Sequence, residues 1–188
     1  VGEILAKLRE HKLEENTLVV FFSDNGGPTR ELTSSNAPLR GEKGWLYEGG
    51  IRVPFIVQFK GKLPAGQTYS QPVTSLDLAA TFRALTTTPR DRQRKSDGVD
   101  LIPFLMGVNK AVPHDALFWR VGDRQALRRG DWKIVRHGRG ANPNRWELYN
   151  LADAIDESED LADSDPARLK KLAAEWETVN TKMVEPPW

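Results

Sequence analysis

The sequence predicts an α/β fold: part of a doubly wound sheet, followed by a small antiparallel sheet packed with a C-terminal helix. Three observations predict it. Residues 18–22 and 53–59 are runs apolar on both faces, the signature of strands inside a parallel sheet covered by helices. Segments of helical periodicity precede the first run and follow the second. Beyond residue 117 the pattern changes to closely spaced β-favouring segments separated by turn residues, which reads as a meander.

Each element has a local reason. Val1, Ile4, Leu5 and Leu8 recur at helical spacing, with Glu3, Lys7, Arg9 and Glu10 on the other face. No Ser, Thr, Asp or Asn precedes them as a cap, so the helix is expected to be under way at residue 1 and the true chain to begin upstream. The first apolar run ends in Ser23-Asp24-Asn25-Gly26-Gly27-Pro28, and the second has Pro54 at its mouth, where a missing donor is tolerated. Ser75 is placed to cap a helix carrying Leu78, Phe82 and Leu85 on one face. Strands are expected over 117–120, 125–128, 132–136 and 146–151. Asp165 as cap and Pro166 at the first position open a last helix with the stripe Leu169, Leu172, Ala173, Trp176 and Val179. The composition shift after Thr88 suggests two parts, 1–112 and 113–188.

Composition narrows the chemistry. The 188 residues carry 27 Lys and Arg against 26 Asp and Glu, three His and no Cys. Disulfides, thiolate metal sites and a cysteine nucleophile are excluded within these residues. A net charge of +1 gives no argument for nucleic acid, and no apolar run approaches the roughly 20 residues of a membrane span.

Two segments could carry chemistry. Asp24 and Asn25 leave the end of an apolar strand, where ligands of open α/β sheets bind. Their side-chain oxygens are hard donors suited to calcium or magnesium, although an Asx turn closed by glycine would look the same. The second segment, Leu39-Arg40-Gly41-Glu42-Lys43-Gly44-Trp45-Leu46-Tyr47-Glu48-Gly49-Gly50-Ile51-Arg52-Val53-Pro54, sets charged residues among glycines before a strand. Lys43 could meet an oxyanion as a mobile point charge, or be solvated; Glu48 and Arg52 read as an ion pair bracing the loop.

Together, and in this order, the two segments closely resemble the sulfatase family of the alkaline-phosphatase-like superfamily. The likeness continues through Ser75-Leu76-Asp77-Leu78-Ala79-Ala80-Thr81 and Asp97-Gly98-Val99-Asp100-Leu101-Ile102-Pro103-Phe104-Leu105. It extends to Arg129-Gly130-Asp131-Trp132-Lys133-Ile134-Val135 and Glu147-Leu148-Tyr149-Asn150-Leu151. The resemblance implies a sulfatase-like sheet and hydrolysis of sulfate monoesters by formylglycine, made from the first residue of a Cys/Ser-x-Pro-x-Arg motif. Its hydrate attacks sulfur, the alcohol leaves, and sulfate is then released as the aldehyde re-forms. Calcium, more than magnesium, orients the nucleophile and neutralises charge. By matching position, Asp24 and Asn25 become metal ligands, and Lys43 contacts the sulfate and the leaving oxygen.

The sequence also departs from the family. Asn36-Ala37-Pro38-Leu39-Arg40 has the Pro and Arg spacing of the nucleophile motif but Asn in the nucleophile's place. These residues are therefore expected to be the C-terminal part of a sulfatase whose nucleophile lies upstream, inactive alone, and partnered by that missing part or by another copy through an exposed sheet edge. Sulfated small molecules or glycans are the implied substrates. Trp45 is a candidate sugar platform, and His137 and Arg139 at a hairpin tip could edge the pocket. Otherwise the three histidines read as solvated, as do the acidic run from Asp153 to Asp163 and the basic face between Arg120 and Arg145. Rival readings are a phosphate or phosphonate ester hydrolase of the same superfamily and a non-catalytic module for anionic glycans. Family habit points to periplasm, lysosome or secretion.

Overall fold

A computed structural model describes residues 1–30, 34–86, 96–138 and 143–184. The chain forms two compact units: Val1–Phe21 with Phe55–His114, and Phe22–Pro54 with Asp115–Trp188. The chain passes between the units three times, and residues 22–54 group with residues 115–188.

In the first unit, helix α1 (Gly2–Glu10) begins at Val1 without a side-chain cap and buries none of its residues. Its apolar stripe finds no covering layer, and Ile4 is 66% exposed. A short 3-10 turn (Glu14–Asn16) follows, and Glu14 is held below the ordinary carboxylate range mainly by its hydrogen bond from Lys60. Strand β1 (Val19–Phe22) pairs with β2 (Phe55–Gln58) in a two-stranded sheet. The expectation of burial on both faces is corrected here: Phe21, Phe22 and Ile56 are exposed. Apolar character supplies the tendency to be covered, but burial also needs a facing layer.

Helix α3 (Leu76–Thr86) buries Asp77, Leu78, Ala80 and Thr81, while Phe82 and Leu85 of the expected face are exposed. Asp77 explains the shift of face. Its fully buried carboxylate accepts the Thr74 and Val99 amides, at 2.8 and 2.9 Å, and lies 2.9 Å from His114 Nε2. His114 is therefore a half-buried partner of Asp77 rather than a solvated ring. The short helix α4 (Ile102–Leu105) completes this unit.

The second unit contains helix α2 (Glu48–Ile51) and a sheet in the order β3-β4-β5-β6. Its strands, Leu117–Val121, Arg124–Arg129, Trp132–Arg136 and Trp146–Asn150, pair antiparallel throughout, as the meander reading expected. Gly130, at φ +58°, makes the tight turn between β4 and β5 possible. Register Leu127–Ile134–Leu148 puts three fully buried side chains on one face, against Leu172 and Trp176 of helix α5 (Pro166–Asn180). Asp165 caps that helix through the Arg168 amide, and Pro166 occupies its first turn. The opposite face, with Ala126, Val135 and Tyr149, packs against Leu46 and Tyr47. One face of the meander thus builds a core and the other receives the loop that carries Lys43.

Candidate functional site

Strand β1 delivers Asp24 and Asn25 to a turn fixed by backbone contacts. Ser23 donates its amide to the Pro54 carbonyl at 3.3 Å and its hydroxyl to the Asn25 carbonyl at 2.8 Å. Asn25 Nδ2 donates to Asp24 Oδ1 at 3.1 Å, which leaves the second Asp24 oxygen and the Asn25 amide oxygen as hard donors. Asp24 itself is exposed.

The Lys43 loop is sewn to this turn. The Gly26 amide donates to the Gly50 carbonyl at 3.0 Å, and a Cβ on Gly26 would sit 1.7 Å from the Gly49 oxygen. The Lys43 amide points to the Gly27 carbonyl at 3.4 Å. Asn36 bridges both segments: its oxygen accepts the Gly27 amide, and its nitrogen donates to the Gly27 and Gly41 carbonyls, at 2.9, 2.9 and 3.1 Å. The Asn found in the nucleophile's place is thus a brace. The Lys43 backbone is tied to a residue two positions beyond Asn25, and its side chain is exposed.

Neighbouring residues shape the setting. Glu42 is buried and accepts from the Thr29 hydroxyl and the Arg30 amide, at 2.8 and 2.9 Å, and these bonds hold its carboxyl below the usual range. Trp45 stacks on Tyr47, and the Arg30 guanidinium lies 5.3 Å from its ring centre. Thr29, Arg30, Arg40, Glu42, Trp45 and Tyr47 line a cleft of about 360 Å³. His137 lies 5.2 Å from Trp45 and 4.8 Å from Tyr47, ring to ring, and burial pushes its pKa down; it is half-buried, not solvated. Arg139 lies outside the described residues.

Behind the loop, Tyr47 and Tyr149 both donate to Glu147 Oε2, at 2.5 and 2.6 Å, and burial raises both phenol pKa values. Arg40 donates to the Tyr149 oxygen at 2.8 Å and lies over the Tyr47 ring. The expected Glu48–Arg52 pair forms at 3.5 Å, but Glu48 also meets Lys133 at 2.7 Å, which sequence reading missed. Lys133 and Glu157 are fully buried, so neither the basic face nor the acidic run is wholly solvated. Both lie far from Glu48 in sequence, and no local pattern marks them.

Asp24 and Asn25 fit part of a calcium shell, which takes about six to eight oxygens. Among the described residues, no cluster of three or more His, Cys, Asp or Glu could hold a metal. The pair would contribute two donors, with the others coming from elsewhere.

The Sulfatase family model matches residues 1–88. The chain carries a sulfatase-family segment. Human steryl-sulfatase is 37% identical over 125 residues, 63% of this chain and 21% of that protein. The crystal structure of Ps i-CgsB in complex with k-i-k-neocarrahexaose superposes on all of this chain and 41% of its own, with a TM-score of 0.83 and 30% identity. The chain therefore spans well under half the length of those relatives. Its fold likeness extends to the phosphonate monoester hydrolase of Agrobacterium radiobacter, at TM-score 0.70 and 20% identity, over 96% of this chain and 38% of that one. Fold alone thus does not separate sulfate from phosphonate chemistry. Among the described residues no helix is long and apolar enough to cross a membrane.

Proposed function

We propose that this segment supplies the metal-binding and sulfate-binding side of a sulfate monoester hydrolase. β1 and β2 would be inner strands of the intact enzyme's doubly wound sheet. The observation that supports the reading is the backbone junction of Gly26 with Gly50 and of Gly27 with Lys43, which joins the turn after Asp24 and Asn25 to the backbone of the Lys43 loop.

In the whole enzyme, a formylglycine on a Cys/Ser-x-Pro-x-Arg segment outside these residues would supply the attacking oxygen, and calcium, better suited than magnesium, would neutralise sulfate charge. Asp24 and Asn25 would hold the ion, with the Asn25 amide oriented by its bond to Asp24. Lys43 would donate to a sulfate oxygen and to the oxygen of the departing alcohol. At about 4 Å and an effective dielectric near 20, that attraction is on the order of 4 kcal/mol before desolvation. It strengthens as negative charge moves onto the departing oxygen, so it favours the transition state over bound substrate. The cleft beside Trp45 would face the remainder of a sulfated glycan or small molecule.

Three measurements test the reading. The 188-residue chain alone should leave an aryl sulfate intact: it has no Cys, and its Ser-x-Pro-x-Arg sequence, Ser164-Asp165-Pro166-Ala167-Arg168, opens the last helix, with the Ser164 hydroxyl donated to the Leu161 carbonyl. In a polypeptide carrying these residues behind such a motif, Lys43→Ala should lower kcat/KM on an aryl sulfate by about 100- to 1,000-fold. Asp24→Ala should abolish the response to added calcium. Turnover by the chain alone, or an unaffected Lys43→Ala enzyme, overturns the proposal. Preference for a phenylphosphonate ester over the aryl sulfate would move it to the phosphonate reading.

A further inference from the structure

We infer that Lys133 and Glu157 are positioning residues for the site, acting through the Glu48 turn; the inference rests on the function proposed above. The sheet register places Arg128 opposite Lys133, two cations on the face that receives the site loop. Like charges facing each other across strands repel, and a fully buried ammonium needs partners. Lys133 finds two: its Nζ lies 2.7 Å from Glu48 Oε1 and 2.8 Å from Glu157 Oε1. Glu48, 2% exposed, also has Arg52 at 3.5 Å and Arg128 at 3.7 Å. Glu157 uses its other oxygen to accept the Glu48 amide at 2.6 Å. Burial raises the Glu157 pKa, and the Lys133 ammonium opposes that shift. The backbone oxygen of Glu157 accepts from Arg40 at 3.1 Å, so one residue holds both ends of the loop around Lys43.

From Glu48 the constraint passes to both halves of the site by direct contact. The next amide, Gly49, donates to the Arg40 carbonyl at 2.6 Å, three residues before Lys43. One residue further, the Gly50 carbonyl receives the Gly26 amide, beside Asn25. A Cβ on Gly49 or Gly50 would lie 2.5 or 2.1 Å from a backbone oxygen of the Lys43 loop, so these layers have no slack. Local geometry of Asp24, Asn25 and Lys43 is set by an ion pair that touches none of them.

Amide hydrogen exchange tests this in the purified chain. Lys133→Met leaves two carboxylates facing each other, and Glu157→Ala removes the acceptor for the Glu48 amide. Each should speed exchange of the Gly26, Glu48 and Gly49 amides roughly tenfold or more, with far smaller changes in β4 and β5. The double variant Lys133→Met/Glu157→Gln keeps an acceptor for the Glu48 amide and leaves Glu48 facing Arg52 and Arg128; it should restore much of the protection. In the polypeptide bearing the nucleophile motif, Glu157→Ala should lower kcat with little change in KM. Uniform acceleration through the sheet, or unchanged exchange at these amides in Glu157→Ala, overturns the inference. An unaffected Lys43→Ala enzyme would sink the functional reading while leaving the exchange result standing.

Discussion

Two acidic turns meet at one hydrogen bond, and they have opposite surroundings. The Asp24-Asn25 turn is open, and among the described residues only Asn25 hydrogen-bonds its carboxylate. The Glu48-Gly49-Gly50 turn is buried, and its carboxylate is ringed by Lys133, Arg52 and Arg128. Charge satisfied inside the protein fixes geometry and is unavailable to a ligand; charge left at the surface keeps its oxygens free and adds little to stability. The buried turn thus serves the fold, while the open turn keeps oxygens free for the metal role proposed above.

The largest effect should come from breaking the buried side. Lys133→Met leaves two buried carboxylates without their common cation and should cost about 3–5 kcal/mol, measurable by urea denaturation. Next comes the junction itself: Gly26→Ala forces a methyl onto the Gly49 carbonyl and should cost about 1–3 kcal/mol. Asp24→Ala should sharpen the contrast by changing stability within about 0.5 kcal/mol, in the same assay, while removing a proposed metal ligand.

The smallest effect is a pH dependence at His137. Burial holds its folded pKa below the ordinary 6.5, so below that pH the unfolded chain takes up a proton that the folded chain resists. Its contribution to stability is therefore present above about pH 6.5 and is lost as pH falls toward the folded pKa. On acidification from pH 7 to 5, the urea midpoint of the parent should fall relative to that of His137→Phe, which keeps a ring against Trp45 and Tyr47. A constant difference would show that His137 does not titrate differently on folding.

Sequence disclosed whatever depends on near neighbours. The meander followed from strand periodicity and Gly-Asp turns, the last helix from its Asp165-Pro166 start, and the two candidate loops from contiguous motifs. Burial of β1 and of the α3 face was misread because apolar spacing identifies a face, not the layer that covers it. Lys133 and Glu157 escaped because each looks ordinary beside its neighbours, one on a basic strand and the other in an acidic connector. Their importance arises only when register and a turn bring them to Glu48, 85 residues before Lys133.

The bond from Ser23 to Pro54 has a consequence of its own. It makes the segment between them an excursion that leaves and returns at neighbouring strand ends, closed at its base by one backbone bond. A graft of residues 23–54 between related scaffolds would carry both halves of the site in a single cassette. The recipient would need to offer counterparts of Lys133 and Glu157, which receive Glu48 and Arg40, and an apolar sheet face for Leu46 and Tyr47.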